Sequence, residues 1–162
     1  MDRPSLSVIV PCYNEARSLE QASRRIKAVL VECVGAGHEI LFVDDGSSDT
    51  TTTLIRDLRT TDPRIGLIAL SRNFGKEVAL TAGLDHASGK AVIPMDADLQ
   101  DPPKLIPHLV KKWRDGYQVV NARRAERMSD SWMKRSTARA FYKLFNKINF
   151  SRLFLLITKI IK

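Results

Sequence analysis

The chain has 162 residues, of which 44% are hydrophobic, and its 26 basic and 18 acidic residues give a net charge of +8. This length and composition fit a globular domain with a buried core, and they exclude collagen-like and intrinsically disordered proteins. Two cysteines, Cys12 and Cys33, are too few for a disulfide framework, so the sequence favours a reducing, cytoplasmic setting.

The charge is distributed unevenly along the chain. Residues 1–103 contain 11 basic and 15 acidic residues, about −4, whereas residues 104–162 contain 15 basic and 3 acidic residues, about +12. This asymmetry predicts a polyanionic partner, either nucleic acid or an anionic membrane surface.

Strands and helices are predicted to alternate along the chain. In order, the patterns predict a strand at 6–11, a helix at 15–34, a strand from 38 that runs into two acids, a helix at 50–60 capped by Asp49, a strand at 64–70, a helix at 75–88, a strand at 91–98, a helix starting at the prolines 102–103, a strand at 117–122 and an amphipathic helix at 129–149. This alternation predicts an α/β fold, a mostly parallel, doubly wound sheet flanked by helices.

Polar residues follow the predicted strands at the ends where ligands bind. In open parallel sheets, ligands lie outside the carboxyl ends of the strands. The polar residues found at these ends, in strand order, are Tyr13, Asn14 and Glu15 after the first strand, Asp44 and Asp45 after the second, Asp96 and Asp98 after the fourth, and Arg123 and Arg124 after the fifth. We therefore expect these side chains to converge on one edge of the sheet.

The pair Asp96 and Asp98 suggests a metal site. Two carboxylates that project into one crevice repel each other, and a divalent cation relieves that repulsion. Mg²⁺ and Mn²⁺ prefer oxygen ligands and often bridge carboxylates to phosphate oxygens, so a diphosphate would fit here. The alternative is a pair of surface acids on a turn.

A second acidic pair, Asp44 and Asp45, precedes a turn formed by Gly46 and two serines. These carboxylates could accept hydrogen bonds from a nucleobase or from ribose hydroxyls. The stretch also suits a simple turn that leads into a helix. The glycine-rich fingerprint of dinucleotide-binding proteins follows none of the predicted strands.

Four motifs together resemble the family-2 glycosyltransferases of the GT-A fold. They are SVIVPCYNE, VDDGSSDTT, LSRNFGKEVALTAGLDHASGKAVIPMDADLQDPP and GYQVVNARR, and they occur in the family's order within residues 5–149. Within that family, the sequence is most similar to the polyprenyl-phosphate sugar transferases, such as dolichyl-phosphate mannose synthases and their bacterial glucosyl relatives.

The resemblance implies a nucleotide-sugar donor, a divalent cation (Mg²⁺ or Mn²⁺) and a polyprenyl-phosphate acceptor. It implies that the nucleoside is held by Pro11, Tyr13, Glu15 and Asp44 or Asp45, and that Lys76 lies near the donor. It places Asp96, Asp98 and Gln100 around the metal and the diphosphate. Asp98 and Arg123 would carry the catalytic step, with Arg123 facing the acceptor phosphate.

The last part of the chain is predicted to differ from the nucleotide-sugar domain at 1–128. Residues 129–162 read as a basic amphipathic helix with an apolar tail, in which Arg135, Arg139, Lys143 and Lys147 recur every four residues. Such a helix suits an anionic membrane surface, and the alternative is a helix packed on the domain with a solvated basic face. The resemblance also implies a later segment with a Gly-Asp-Phe-Arg-like motif, which this sequence lacks.

The resemblance implies an inverting hexosyltransferase, and with the basic tail we expect it to be peripheral on the cytoplasmic face of a membrane. The donor could be UDP- or GDP-linked. The main alternative is a truncated donor-binding module without turnover. A nucleic-acid binder would explain the basic tail but not the acidic pairs, and the sequence has no motif that reads DNA or RNA. A processive polysaccharide synthase would need acceptor motifs and membrane spans that do not occur here.

Overall fold

The protein is an α/β structure, and a computed structural model describes its residues 4–98 and 102–122. The elements are β1 (Leu6–Cys12), α1 (Ala16–Val34), β2 (His38–Asp44), α2 (Thr51–Thr61), β3 (Ile65–Ala69), α3 (Lys76–His86), β4 (Ala91–Pro94), a 3-10 turn (Pro103–Leu105) and α4 (Ile106–Arg114). The predicted fold class is confirmed.

All four strands are parallel and lie in the order β3-β2-β1-β4. The chain moves outward from β1 through β2 to β3 and then returns to the other side of β1 with β4. The strand order therefore reverses between β1 and β4. A crevice opens at the carboxyl ends of the strands where the order reverses, and this is the usual ligand position in such sheets.

Helices cover both faces of the sheet because successive strand residues point to opposite sides. On one face, even-numbered β1 residues pack with apolar residues of α1, α2 and α4; the fully buried members include Leu6, Val8, Val10, Leu19, Ile26, Leu30, Ile55 and Ile106. On the other face a smaller cluster packs against α3 and contains Ile9, Val43, Ala79 and Val92.

The prediction of a fifth strand at 117–122 is wrong. These residues are irregular, with Tyr117 55% and Val119 58% exposed. A strand-forming composition is effective only where a neighbouring strand and a buried face support it. Instead, the Lys112 ammonium lies over the Tyr117 ring, with its nitrogen 5.2 Å from the ring centroid.

The fourth strand is shorter than predicted and ends at Pro94 rather than at residue 98. Proline has no N–H for the ladder, which suits an edge position. The Met95 N–H donates one further bond to the Ile9 carbonyl at 2.8 Å, and the chain then leaves the sheet. Asp96 and Asp98 consequently lie beyond the strand, with Asp98 in a turn.

The predicted amphipathic helix at 129–149 and the apolar tail lie outside the described residues. Within residues 4–98 and 102–122, no helix combines the length and the apolar character needed to cross a membrane.

Candidate functional site

Most residues predicted for the site come from the carboxyl ends of the strands. Register pairs Ile9 of β1 with Pro94 of β4, so segments 13–15 and 95–98 leave neighbouring strands at the same edge. Pro11 pairs with Val43 in the adjacent strand. Tyr13 is exposed at this edge. Gln100 and Arg123 lie outside the described residues, so their predicted roles stay predictions.

An ion pair joins α3 to the segment after β4. The Lys76 ammonium lies 2.5 Å from Asp96 Oδ1. The two side chains are 53% and 19% exposed, so solvent reaches this contact. Lys76 is the first residue of α3 and Asp96 follows the edge strand. The pair brings together two residues that were predicted to lie near the donor.

Asp45 holds the loop that leads into α3. One of its carboxylate oxygens accepts the Phe74 N–H at 2.8 Å, and the other accepts the Gly75 N–H at 2.9 Å. The side chain is buried. Both oxygens thus have partners in the protein, and one consequence of these bonds is the placement of Lys76, the next residue along. A nucleoside contact by Asp45 stays a prediction.

Asp44 is buried as well and organises the turn after β2. It accepts the Ser47 N–H at 3.1 Å and the Thr52 hydroxyl. Its charge also affects Cys12: burial, and secondarily Asp44, raises the pKa of this thiol well above its usual range. A raised pKa disfavours the thiolate, which is the nucleophilic form of cysteine.

Asn14, which follows the first strand, links two loops through contacts that were not predicted from the sequence. Its backbone is left-handed (φ 55°), and its side-chain oxygen accepts the Ser48 N–H at 2.9 Å and the Asp49 N–H at 3.3 Å. In return, the Asn14 N–H donates to the Ser47 hydroxyl at 2.9 Å. These bonds tie the loop after β1 to the loop after β2. Asparagine after a strand is a weak signal, because it suits many turns.

The start of α2 reinforces the same connection. Glu15 donates its N–H to the Thr51 hydroxyl at 2.9 Å, and Ala16 donates to Asp49 at 3.3 Å. Asp49 was predicted to be the N-cap; the structure has Thr50 at that position, without a side-chain cap. Asp49 instead accepts the Thr51 N–H at 2.9 Å. Hydrogen bonding by Thr51 lowers the pKa of Asp49.

Gly46 allows the loop after β2 to contact the loop after β3. Its φ is +70°, and a Cβ at this position would lie 2.4 Å from the Arg72 carbonyl carbon and 2.7 Å from the Asn73 nitrogen. Backbone atoms cannot move aside easily, so only glycine fits. The loops after β1, β2 and β3 therefore form one interlocked edge.

Asp96 and Asp98 fit a hard divalent cation by the chemistry of their side chains. They flank the buried Ala97 and offer carboxylate oxygens, the ligand type that Mg²⁺ and Mn²⁺ prefer. Within the described stretches 4–98 and 102–122, no group of three or more His, Cys, Asp or Glu residues could hold a metal ion. A metal site here would therefore need further ligands, from Gln100, the nucleotide or water.

The family model for glycosyl transferase family 2 matches residues 7–161, which is nearly the whole chain. The chain belongs to this family. The family-2 domain is 46% identical over 144 residues to a bactoprenol glucosyl transferase of Shigella phage SfV, covering 89% of this chain. It is 48% identical over 143 residues to an uncharacterized glycosyltransferase of Synechocystis, covering 88% of this chain.

Solved structures resemble this family-2 domain too. A mannosyltransferase from Pyrobaculum calidifontis, in complex with GDP-Man and Mn²⁺, is 31% identical with a TM-score of 0.61; the match covers 76% of this chain and 37% of that one. The glucosyl-3-phosphoglycerate synthase of M. tuberculosis has a TM-score of 0.58 at 23% identity, covering 91% of this chain and 53% of that one, which supports the fold alone. The GT-A expectation is confirmed.

The chain spans about half the length of the curated relatives that it matches. The aligned regions are 45% of the Synechocystis protein and 47% of the phage protein. What those whole proteins do therefore comes to this chain only as a proposal.

Proposed function

We propose that this domain binds a nucleotide sugar and transfers its hexose to a polyprenyl phosphate. The observation that carries the proposal is the Lys76–Asp96 ion pair beside Asp98, at the edge where β1 and β4 diverge. The names of the phage relatives, bactoprenol glucosyl transferases, support a polyprenyl acceptor and a hexose.

Each predicted residue has a proposed part in donor binding. Tyr13, exposed at the rim, supplies a ring against the nucleoside, and Pro11 and Glu15 shape the adjoining loop. Asp44 and Asp45 hold the loops beneath it, with spare lone pairs on their oxygens for the nucleoside. Lys76 lies where a diphosphate would need a cation.

Asp96 and Asp98, with Gln100, would hold a divalent cation. When bound, Mg²⁺ or Mn²⁺ would neutralise the negative charge that develops on the departing nucleoside diphosphate. The GDP-Man and Mn²⁺ complex of the Pyrobaculum mannosyltransferase supports this proposal.

The acceptor phosphate is the nucleophile in this proposal. One of its oxygens forms a bond to the anomeric carbon while the bond from that carbon to the diphosphate breaks, and attack from the opposite face inverts the configuration. A phosphate monoester is already largely ionised at neutral pH, because its second pKa is about 6. The domain therefore needs to position the phosphate, proposed here for Arg123, rather than deprotonate it.

Residues 129–162 would place the domain on the cytoplasmic face of the membrane, where a polyprenyl phosphate resides. The second candidate is a donor-binding module without turnover. The two candidates share one donor site and differ only in product formation.

Calorimetric titration of UDP and GDP, with and without Mn²⁺, tests the donor site. We expect Mn²⁺-dependent binding of one nucleotide and its loss in Asp98→Ala. The matched control is Asp85→Ala, an exposed acid near the far end of α3. Equal binding by both variants would refute the assignment of Asp98.

Product formation separates the two candidates. The chain is incubated with a UDP- or GDP-linked labelled hexose, Mn²⁺ and undecaprenyl phosphate, and the lipid fraction is analysed. Labelled lipid establishes the transferase, whereas nucleotide binding without labelled lipid establishes the donor-binding module.

A further inference from the structure

The position of Lys76 is unusual for a lysine. It is the first residue of α3, at the positive end of the helix macrodipole, where acids are favoured and cations are disfavoured. The helix thus gains nothing from this charge. The ammonium instead contacts Asp96 at 2.5 Å.

The loop before Lys76 fixes where its ammonium can go. Asp45 binds the two preceding N–H groups, and Gly46 lies against the backbone at Arg72. The backbone of Lys76 is therefore held in place, while its side chain is 53% exposed and borders solvent that other rotamers could occupy. The ammonium can move between nearby anions without any change in the fold.

A divalent cation at Asp96 would lie close to the Lys76 ammonium. Like charges at such a separation disfavour each other, so the two cations compete for one carboxylate. A nucleoside diphosphate would change the balance, because its oxygens can accept the ammonium while the divalent cation stays on the acids. The amino end of α3 favours the same anion.

We propose that Lys76 is an exchangeable counter-ion: it neutralises Asp96 before the donor arrives and moves to the diphosphate when metal and nucleotide are bound. This inference rests on the proposed donor site. The exchange keeps the acidic edge neutralised in the empty domain and disfavours metal binding without the nucleotide.

If the exchange occurs, Lys76→Gln should raise the affinity for Mn²⁺ alone and lower the affinity for the nucleotide. Affinity for Mn²⁺ alone should rise about three- to ten-fold, because a competing charge is removed. Affinity for UDP or GDP in saturating Mn²⁺ should fall by a similar factor. A lysine that merely supports the fold would lower both affinities, and an irrelevant one would change neither.

The experiment measures free Mn²⁺ by electron paramagnetic resonance during titration of the full chain, followed by nucleotide calorimetry. Lys76→Arg keeps the cation and should keep both affinities near those of the unaltered chain. Lys90→Gln removes an exposed lysine at the amino end of β4 and should also change neither. Thermal melting should show that Lys76→Gln is as stable as the unaltered chain.

Two results would overturn the exchange. If Lys76→Gln binds Mn²⁺ no more tightly than Lys90→Gln does, while the unaltered chain binds nucleotide with Mn²⁺, then the exchange is wrong and the donor site stands. If the unaltered chain binds neither nucleotide, the proposed function fails and the exchange fails with it.

Discussion

The buried carboxylates of Asp44 and Asp45, beneath the proposed site, accept hydrogen bonds from the protein's own backbone. Asp45 receives two N–H groups from the loop before α3, and Asp44 receives one from Ser47. Carboxylates that accept several backbone bonds are strong local anchors. The sequence showed that both residues stand at a strand end. It could not show which groups Asp45 binds, because Phe74 and Gly75 lie 29 and 30 residues further along the chain.

Removing the Asp45 carboxylate should loosen the loop before α3. In Asp45→Ala, two partly buried N–H groups lose a charged acceptor, so we expect a loss of about 1–3 kcal/mol in the free energy of unfolding. Amide exchange at Phe74 and Gly75 should accelerate, measured by mass spectrometry. The control is Asp57→Ala, an exposed acid on α2. Unchanged exchange at Phe74 would contradict the anchoring role.

Gly35 and Gly46 allow the cost of backbone strain alone to be compared with the cost of strain plus a steric clash. Gly35 and Gly46 both have positive φ, but a Cβ meets nothing within 4 Å at Gly35 and the Arg72 backbone at 2.4 Å at Gly46. Gly35→Ala should cost about 1 kcal/mol, from the left-handed backbone alone. Gly46→Ala should cost at least about 2 kcal/mol more, because backbone must shift. Urea unfolding of both variants tests this; equal losses would mean that the loops are not interlocked.

At the scale of elements, long periodic segments were predictable and short unsupported ones were not. The apolar stripe of α1 identifies that helix because its buried residues, such as Leu19, Ile26 and Leu30, recur at helical spacing. The run at 117–122 has the composition of a strand, but no composition reveals whether a partner strand is present. The alternation of strands and helices was enough to predict that segments 13–15 and 95–98 lie at the same edge of the sheet.

An ion-pair cluster joins α1, the end of α2 and the start of β3. The buried Asp62 carboxylate forms an ion pair with the Lys27 ammonium at 2.6 Å. It also accepts hydrogen bonds from two guanidinium nitrogens of Arg64 at 2.8 and 3.0 Å. The hydrogen bonds from Arg64, and secondarily Lys27, hold the pKa of Asp62 well below its usual value. Its stabilising effect is therefore fully present above the unfolded pKa, about 3.9, and is lost as the pH falls below it.

Acid unfolding tests this cluster. In Asp62→Asn, the free energy of unfolding should be lower at pH 7 and should decline less steeply below about pH 4. Asp57→Asn, on the exposed side of α2, should retain the steep decline. Urea titrations across that pH range supply the slopes, and parallel slopes for Asp62→Asn and the unaltered chain would contradict the assignment.

At the scale of the whole molecule, we propose that the acidic donor site and the basic end of the chain have separate tasks. Residues 104–162 carry about +12, with 15 basic and 3 acidic residues, whereas the site lies in the mildly acidic first part. We expect the chain to bind vesicles containing phosphatidylglycerol, and to release them as salt is raised, because surface charges are screened. Sedimentation should show no binding to phosphatidylcholine vesicles. Salt-sensitive binding to duplex DNA with none to anionic vesicles would contradict the membrane proposal.

Paramagnetic broadening by Mn²⁺ would locate the proposed donor site on the sheet. A ¹⁵N-labelled chain receives UDP or GDP with graded Mn²⁺, and amide signals are followed by NMR. We expect the signals of residues 13–15, 75–77 and 95–98 to broaden first, because they lie at the carboxyl ends of β1 and β4 and at the start of α3. Residues 37–38 and 88–90, at the opposite edge of the sheet, should broaden last. Early broadening at that opposite edge, or along α4, would contradict the account.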